Sequence, residues 1–262
     1  YDVVGGKEPS LGILLCYPAD ERQESRLSRT VSLVHGERRA GGNPGVGVSV
    51  IGAGGYAGAV LIPAFKEGGA NFRYIAGSGG PGSVHLGRKH GFAKATTNIE
   101  ELLSDRDTAN LVIATRHDSH ARYVVSGLDA GKNVFVEKPL CITLQELQHI
   151  RSAVERRPGA LLMVGFNRRF APHVVRIKQL LKATPGPKAL IMTVNAGAIP
   201  ASHWTQDSGV GGGRIVGEGC HFLDLLRHLA GEPIESLHAE KMSGAVPDSV
   251  AIQVRFADGS VG

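Results

Sequence analysis

The chain has 262 residues, 42% of them hydrophobic and 20% charged, which suffices for one large globular domain or two smaller ones. Its net charge is +5, but the Lys and Arg residues are dispersed and lack interleaved aromatics, so an anionic small molecule fits better than nucleic acid. Three cysteines without a CxxC pair argue against a disulfide framework and indicate a reducing, cytoplasmic compartment, and no apolar stretch is long enough to span a membrane.

The N-terminal part, residues 1–45, differs from the rest of the chain. One apolar stretch, "LGILLCYP", is followed by charged residues and then by Gly, Pro and Arg, which are typical of a linker. The start lacks both a signal-peptide pattern and an initiating Met, so we expect a fragment of a longer protein. Residues 1–45 are therefore predicted to be a terminal segment and linker.

From Val46 onward, apolar strands alternate with helical patterns, which predicts a parallel sheet covered on both faces. Ligands of such sheets bind outside the carboxyl ends of the strands. Thr143 and Glu146 have the spacing of a capping box, and Pro63 should kink or shorten the first helix. Strands are predicted within 46–54, 71–78, 110–116, 133–139 and 160–167, and helices within 56–68, 98–105, 119–132 and 143–157.

After about residue 185 the pattern becomes that of an antiparallel sheet with one wet face. Strands are predicted within 188–196, 234–242 and 249–262. The "ADG" in the last of these ranges is predicted to be a hairpin turn between two strands. The sequence therefore predicts an α/β domain at 46–167 and an α+β domain at 168–262, whose sheet looks cut short.

A glycine-rich loop lies between the first predicted strand and the first predicted helix. Gly52, Gly54 and Ala57 match the GxGxxG/A pattern, with Gly55 and Tyr56 between them. The glycines allow a tight turn and a close approach of a pyrophosphate to the backbone, and the small third residue lets helix and strand pack closely. The context favours a dinucleotide-binding loop over a plain strand-to-helix turn.

The second predicted strand ends without the acidic residue that would hold the ribose hydroxyls of NAD. No Asp or Glu occurs between Glu67 and Glu100; Ser78 ends the strand, and Arg88 and Lys89 are nearby. Since a carboxylate would repel a 2′-phosphate and none is present, the expected cofactor is NAD or NADP.

Polar residues follow the other predicted strands at the same edge of the sheet. They are Thr115, His117 and His120 after the third strand, Glu137 and Lys138 after the fourth, and Asn167, Arg168 and Arg169 after the fifth. The first five are predicted to line a cofactor crevice, although a surface loop and a solvated charge pair are the alternatives. One arginine of the last group is expected to bind a substrate carboxylate or phosphate, or else to be solvated.

Two further sites contain aromatic or metal-binding residue types. Trp204 is expected either to stack on a sugar face or to pack between domains. His221, Asp224 and His228 share a predicted helical face, but packing explains this spacing better than a metal does, so no metal site is predicted.

The glycine loop, "VEKPL" and "GGGRIVGEGCHFLDLLRHLAG" together resemble the Gfo/Idh/MocA oxidoreductase family over residues 46–262. The resemblance implies a Rossmann domain followed by a domain with an open, mainly antiparallel sheet. It also implies NAD(P)-dependent hydride transfer at a sugar, nucleotide-sugar or cyclitol hydroxyl, and a homo-oligomer formed through the exposed sheet face. Residues 1–18 look similar to the tail of a zinc-type alcohol dehydrogenase, which suggests a fusion.

The resemblance also implies roles for individual residues. Lys138 matches the lysine that lies beside the nicotinamide and hydrogen-bonds the reacting hydroxyl, and His221 matches the histidine that exchanges the proton. Many members have an Asp four residues before this histidine, whereas this chain has Gly217 there. Glu218 is the expected substitute; otherwise Lys138 and His221 act without a carboxylate.

Three functions are compatible with these patterns. The leading one is a dehydrogenase or reductase that acts on a sugar or polyol. The others are a glycoside-cleaving enzyme that retains NAD through a redox-neutral cycle and a non-catalytic dinucleotide-binding module. The sequence leaves open the substrate, the direction of the reaction and the oligomeric state.

Overall fold

The computed structural model describes residues 28–34, 46–243 and 248–262. The predicted strand in "LGILLCYP" and the resemblance of residues 1–18 to an alcohol dehydrogenase lie outside these residues. No helix within the described residues is long and apolar enough to cross a membrane.

The described strands of the first domain form one sheet in the order β1-β4-β3-β2-β5-β6-β7. All neighbouring strands pair in parallel except β1 and β4, which confirms the predicted parallel sheet. Strands β3 and β5 flank β2 on opposite sides, so the connections diverge there and open a crevice at the carboxyl ends. The strands are β1 (Thr30–Ser32), β2 (Gly47–Ile51), β3 (Asn71–Ala76), β4 (Lys94–Thr96), β5 (Asn110–Ile113), β6 (Asn133–Val136) and β7 (Leu162–Val164).

Helices cover this sheet, and its central strands are buried. Every residue of β2 is buried, and so are Leu111, Val112 and Ile113 of β5, because helices pack on both faces. The helices are α1 (Ile62–Glu67), α2 (Pro81–His90), α3 (Ile99–Ser104), α4 (His120–Asp129) and α5 (Leu144–Arg156). All except α2 lie within the ranges predicted from the sequence.

Two local predictions about helix geometry can be compared with the structure. Thr143 and Glu146 form the predicted capping box at the start of α5. Pro63 neither breaks nor sharply ends the first helix, because a wide π turn over Ala57–Leu61 precedes α1 and places Pro63 in its first turn. A proline at that position needs no hydrogen-bonded N–H.

Strand β1 belongs to the segment that was predicted to be a linker. Thr30 pairs with Thr96 of β4, and their hydroxyl oxygens lie 2.7 Å apart. Arg29 donates a hydrogen bond of 2.8 Å to the carbonyl of Thr97. Residues 28–34 are thus an edge element of the first domain, which hydrophobic patterning missed because two of the three strand residues are exposed.

The described residues of the second domain include two α-helices and an antiparallel strand pair. The pair of β8 and β9 confirms the predicted antiparallel arrangement. The strand predicted at 188–196 was wrong: only an isolated bridge between Ala189 and Val261 forms there among the described residues. Leu190 and Met192 pack on the core while Ile191 is exposed, so the side chains alternate without a ladder. The elements are α6 (Pro172–Lys182), α7 (Cys220–Ala230), β8 (Ile234–Lys241) and β9 (Val250–Phe256).

Gly52 offers a stability test of the glycine loop. Its φ is +116°, and an added Cβ would lie 2.2 Å from the carbonyl oxygen of Ala114, whereas a Cβ at Gly54 would meet nothing within 4 Å. We expect Gly52→Ala to destabilise the protein by roughly 3 kcal/mol. Gly54→Ala should change the free energy of unfolding by less than about 1 kcal/mol. Equal denaturant midpoints for the two variants would contradict this geometry.

Candidate active site

A cavity of about 670 Å³ lies between the carboxyl edge of the first sheet and helix α7. Lys138 reaches it from the loop after β6, Arg168 from the loop after β7, and Glu218 and His221 from the region where α7 begins. Thr193 and Asn195, from the segment 188–196, also line it. The structure therefore brings together four of the residues singled out in the sequence, although they come from separate parts of the chain.

Lys138 connects the two domains directly. Its Nζ donates a hydrogen bond of 2.9 Å to the carbonyl oxygen of Gly217. The backbone before it is fixed, because the Glu137 N–H continues the β5–β6 ladder to Ile113 at 2.9 Å. Lys138 has no carboxylate within 4 Å in the described residues, so its charge is available to a ligand.

His221 lies in the first turn of α7 and is 8% exposed. Burial, and then the nearby charges of Lys138 and Arg168, lower the pKa of the imidazole to about 4. The ring is therefore neutral at pH 7 and able to accept a proton. Nδ1 is enclosed and has no hydrogen-bond partner in the part of the chain that the structure describes.

Gly217, which replaces the aspartate that the resemblance led us to expect, lies against His117. A Cβ at residue 217 would be 3.1 Å from Cε1 of His117, tighter than an ordinary van der Waals contact. The His117 ring is held in place, because its Nδ1 donates to the carbonyl of Gly211 at 2.8 Å and the ring packs on Trp204 at a centroid distance of 4.8 Å. His117 thus occupies the space that a side chain at residue 217 would need.

Glu218, the expected substitute for the aspartate, lines the cavity but is already engaged. Its carboxylate accepts a 3.0 Å hydrogen bond from Nε of Arg214, one turn earlier. Arg214 is largely buried and also donates to the carbonyl of Gly197, which holds the pair in place. The oxygen that faces Arg214 is therefore already occupied by a hydrogen bond.

His120 and Trp204 contact other protein groups and do not line the cavity. His120 is fully buried, with Nδ1 2.7 Å from the carbonyl oxygen of Pro139 and Nε2 3.2 Å from that of Thr115. These contacts link the loop after β5 to the loop after β6, and the buried ring does not line an open crevice. Trp204 packs on His117 and does not line the cavity, which agrees with the packing alternative.

The glycine loop has the shape of a phosphate cradle. Gly54 and Gly55 face open space, since an added Cβ would meet nothing within 4 Å. Ala57 is buried where the helix packs on the sheet. Asn167 donates a 3.1 Å hydrogen bond to the hydroxyl oxygen of Tyr56, which links the loop to the residues after β7.

Two further residues of the predicted crevice lie at strand ends. Ser78 is exposed just beyond the end of β3. Burial raises the pKa of Glu137, against the opposing effect of Lys138. A Cβ at Gly165 would lie 2.7 Å from Oε1 of Glu137, so this glycine makes room for the carboxylate.

Asp224, the carboxylate considered for a metal site, already has a cationic partner. Asp224 forms an ion pair with Arg169, and its side chain is only 7% exposed. The ranges 28–34, 46–243 and 248–262 contain no group of three or more His, Cys, Asp or Glu residues arranged to hold a metal ion.

Sequence comparison assigns this architecture to a family. Residues 46–166 match the GFO/IDH/MocA model described as an oxidoreductase family with an NAD-binding Rossmann fold, and residues 188–262 match the GFO/IDH/MocA C-terminal domain. The chain belongs to the Gfo/Idh/MocA oxidoreductase family.

Individual relatives include named dehydrogenases. Myo-inositol 2-dehydrogenase of Thermotoga maritima is 27% identical over 185 residues, which are 66% of this chain and 54% of the relative. Levoglucosan dehydrogenase of Pseudarthrobacter phenanthrenivorans is 26% identical over 215 residues, which are 69% of this chain and 54% of the relative. The chain thus spans about half the length of these curated relatives.

Solved structures share the fold. Levoglucosan dehydrogenase in complex with NADH and levoglucosan superposes with a TM-score of 0.71 at 24% identity, over 83% of this chain and 65% of that one. GenD2 from gentamicin A biosynthesis in complex with NAD superposes with a TM-score of 0.69 at 26% identity, over 83% and 64% of the two chains.

The titration of His221 tests the electrostatics of the cavity. With a pKa of about 4, the ring should remain neutral at pH 5.5, where an ordinary histidine is roughly nine-tenths protonated. NMR of the imidazole resonance, assigned with a His221→Asn variant, measures this directly. Lys138→Met should raise the pKa because it removes one of the two cations. A wild-type midpoint near the ordinary value, or one that Lys138→Met leaves unchanged, would contradict the described environment.

Proposed function

We propose that the protein is an NAD(P)-dependent oxidoreductase that transfers a hydride between nicotinamide and a hydroxyl or keto carbon of a sugar or cyclitol. The observation that supports this most directly is that Lys138 and His221, from different domains, line one cavity beside the Lys138–Gly217 hydrogen bond. The named relatives also support this proposal, because they include inositol and levoglucosan dehydrogenases.

The residues present fit a dinucleotide. The open backbone at Gly54 and Gly55 has room for a pyrophosphate, and Gly52 makes the tight turn that brings the loop over the sheet. Tyr56, Thr115, His117 and Glu137 are the further residues that we assign to this crevice. Because Ser78 and not a carboxylate follows β3, the chain does not exclude a 2′-phosphate, and both NAD and NADP are candidates.

The bound nicotinamide would accept or supply the hydride. Lys138 would donate a hydrogen bond to the reacting oxygen and stabilise the negative charge that develops on it during oxidation. Neutral His221 would accept the hydroxyl proton, and in the reverse direction the protonated ring would return it. Partly buried Lys138 and buried His221 would thus have separate roles: the ammonium would orient the oxygen, and the imidazole would hold the proton.

Glu218 has a supporting place in this scheme. Because Arg214 holds its carboxylate at 3.0 Å, we assign it to shaping the cavity and moderating the positive charge rather than to proton transfer. Asn167 and Arg168 are the proposed substrate contacts, and the Asn167–Tyr56 hydrogen bond would couple substrate binding to the glycine loop.

Substitution of the two central residues tests the catalytic assignment. Lys138→Ala and His221→Asn should each lower kcat by about 10²–10⁴-fold, because each removes a group that acts on the reacting hydroxyl. Dinucleotide affinity, measured by fluorescence titration, should change little. Lys182→Ala and His149→Asn are matched controls, because both residues are exposed and neither lines the cavity.

The same assay separates the alternative functions. Product formed in step with reduced nicotinamide supports the dehydrogenase, whereas glycoside cleavage without net reduction supports the redox-neutral enzyme. Dinucleotide binding without turnover on a broad polyol panel supports a binding module. Full turnover by Lys138→Ala would contradict the assigned role of the lysine.

A bulky residue in the phosphate cradle tests the cofactor assignment. Gly54→Val would place its side chain in the open space of the loop, so it should weaken NAD or NADP binding by at least about tenfold. The melting temperature without cofactor should stay within a few degrees of wild type, because no neighbour is displaced. Unchanged cofactor affinity in a folded variant would contradict a pyrophosphate at this loop.

A further inference from the structure

The cavity has an unbalanced positive charge. Lys138 and Arg168 both line it, and its acidic lining residue, Glu218, is already bonded to Arg214 at 3.0 Å. Asp224, which lies on the same helix as His221, is paired with Arg169. Within the described residues, two cations therefore face the cavity without a carboxylate of their own.

Arg168 is an exposed residue whose side chain contacts an aromatic ring and whose donors are unused. It belongs to the short turn Asn167–Phe170, and its guanidinium lies over the ring of Phe222 at 4.8 Å from the centroid. In the part of the chain that the structure describes, this side chain makes no ion pair and no hydrogen bond. A guanidinium has five N–H donors in its plane, and stacking on a ring leaves these edges free for an anion.

The two cations act on the same group. The nearby charges of Lys138 and Arg168 both lower the pKa of His221, after burial. All three residues line the same cavity, so an anion bound to Arg168 would share that cavity with the imidazole that we assign to proton transfer. It would also offset the charge that the cavity residues leave uncompensated.

We infer that the substrate is a sugar acid, a polyhydroxylated carboxylic acid whose carboxylate pairs with Arg168 while its reacting hydroxyl faces Lys138 and His221. This inference rests on the proposed function. The carboxylate takes no part in the redox change: in oxidation the carbinol carbon loses a hydride to the nicotinamide and its hydroxyl loses a proton to His221.

A carboxylate fits the cavity better than a phosphate does. Lys138 is assigned to the reacting oxygen, so Arg168 remains as a single free cation, which matches a monoanion. A guanidinium also binds the two oxygens of a carboxylate through parallel N–H donors. A phosphate dianion would match the summed charge of Lys138 and Arg168, but it would need Lys138 as a partner and so compete with the reacting oxygen.

Binding and turnover of matched sugars test this inference in the protein saturated with NAD or NADP. The acids are D-glucuronate, D-galacturonate and D-gluconate; the neutral comparisons are D-glucuronamide and D-glucose, and D-glucose 6-phosphate represents the phosphates. We expect at least one acid to exceed D-glucuronamide by at least about tenfold in kcat/KM and in affinity measured by calorimetry.

Substitutions at Arg168 show whether this residue sets the preference. Arg168→Met should weaken binding of the preferred acid by about 10–100-fold, mainly through KM, and Arg168→Lys should retain part of the preference. Dinucleotide affinity should be unchanged in both variants. Arg151→Met is the matched control, because Arg151 is a surface residue whose side chain is 73% exposed.

Several results would overturn the inference. These are equal or better use of the neutral sugars, stronger binding of D-glucose 6-phosphate, an acid preference that survives Arg168→Met, or no binding of any acid in the panel. Turnover of neutral polyols without acid preference would leave the proposed oxidoreductase standing. Failure of the wild-type protein to bind either NAD or NADP would instead contradict the proposed function itself.

Discussion

The hydrogen bond from Lys138 to the carbonyl oxygen of Gly217 is the contact on which the site depends. It joins the loop after β6 of the first domain to the turn that leads into α7 of the second. The π turn at Ile215–Gly219 sits where that contact is made, and such turns are frequent at functional sites because they break the regular helical ladder. The contact places Lys138 in the same cavity as His221.

The electrostatic environment of the Lys138–Gly217 contact depends on which of the nearby charged side chains are already paired. Arg214 engages Glu218 and Arg169 engages Asp224, so both carboxylates that act on His221 have cationic partners of their own and only partly oppose Lys138 and Arg168. Lys138 and Arg168 remain, and together with burial they hold the imidazole in its neutral form. Residue 217 is a glycine, and His117 lies where a side chain at this position would be. No carboxylate at residue 217 therefore offsets the positive charge of Lys138 and Arg168.

The sequence predicted the features that depend on local chemistry. Alternating apolar strands and helices predicted the parallel sheet, Thr143 and Glu146 predicted a capping box, and the glycines predicted the open loop. It did not predict α2, because Pro81, Gly82 and Gly87 are poor helix formers. Gly87 is needed there for packing, since an added Cβ would lie 2.3 Å from the side chain of Leu33, the residue after β1.

Long-range relations in the site could not be predicted from the residues alone. Motif order indicated Lys138 and His221, but nothing in the chain near Gly217 shows that His117, 100 residues earlier, fills its side-chain space. The engagement of Glu218 by Arg214 was readable as an i,i+4 pair, and this signal could have lowered the expectation that Glu218 replaces the aspartate. The free guanidinium of Arg168 emerges only once its neighbour Arg169 is seen to hold Asp224.

Lys138 and His221 are expected to act on one reacting group, and a double-mutant cycle of kcat tests this coupling most directly. When two groups act as a unit, the removal of either one already abolishes most of their joint effect. The kcat of the variant with both Lys138→Met and His221→Asn should therefore be only slightly below that of the more damaging single variant. Effects that multiply in the double variant, as for independent sites, would contradict a shared site of action.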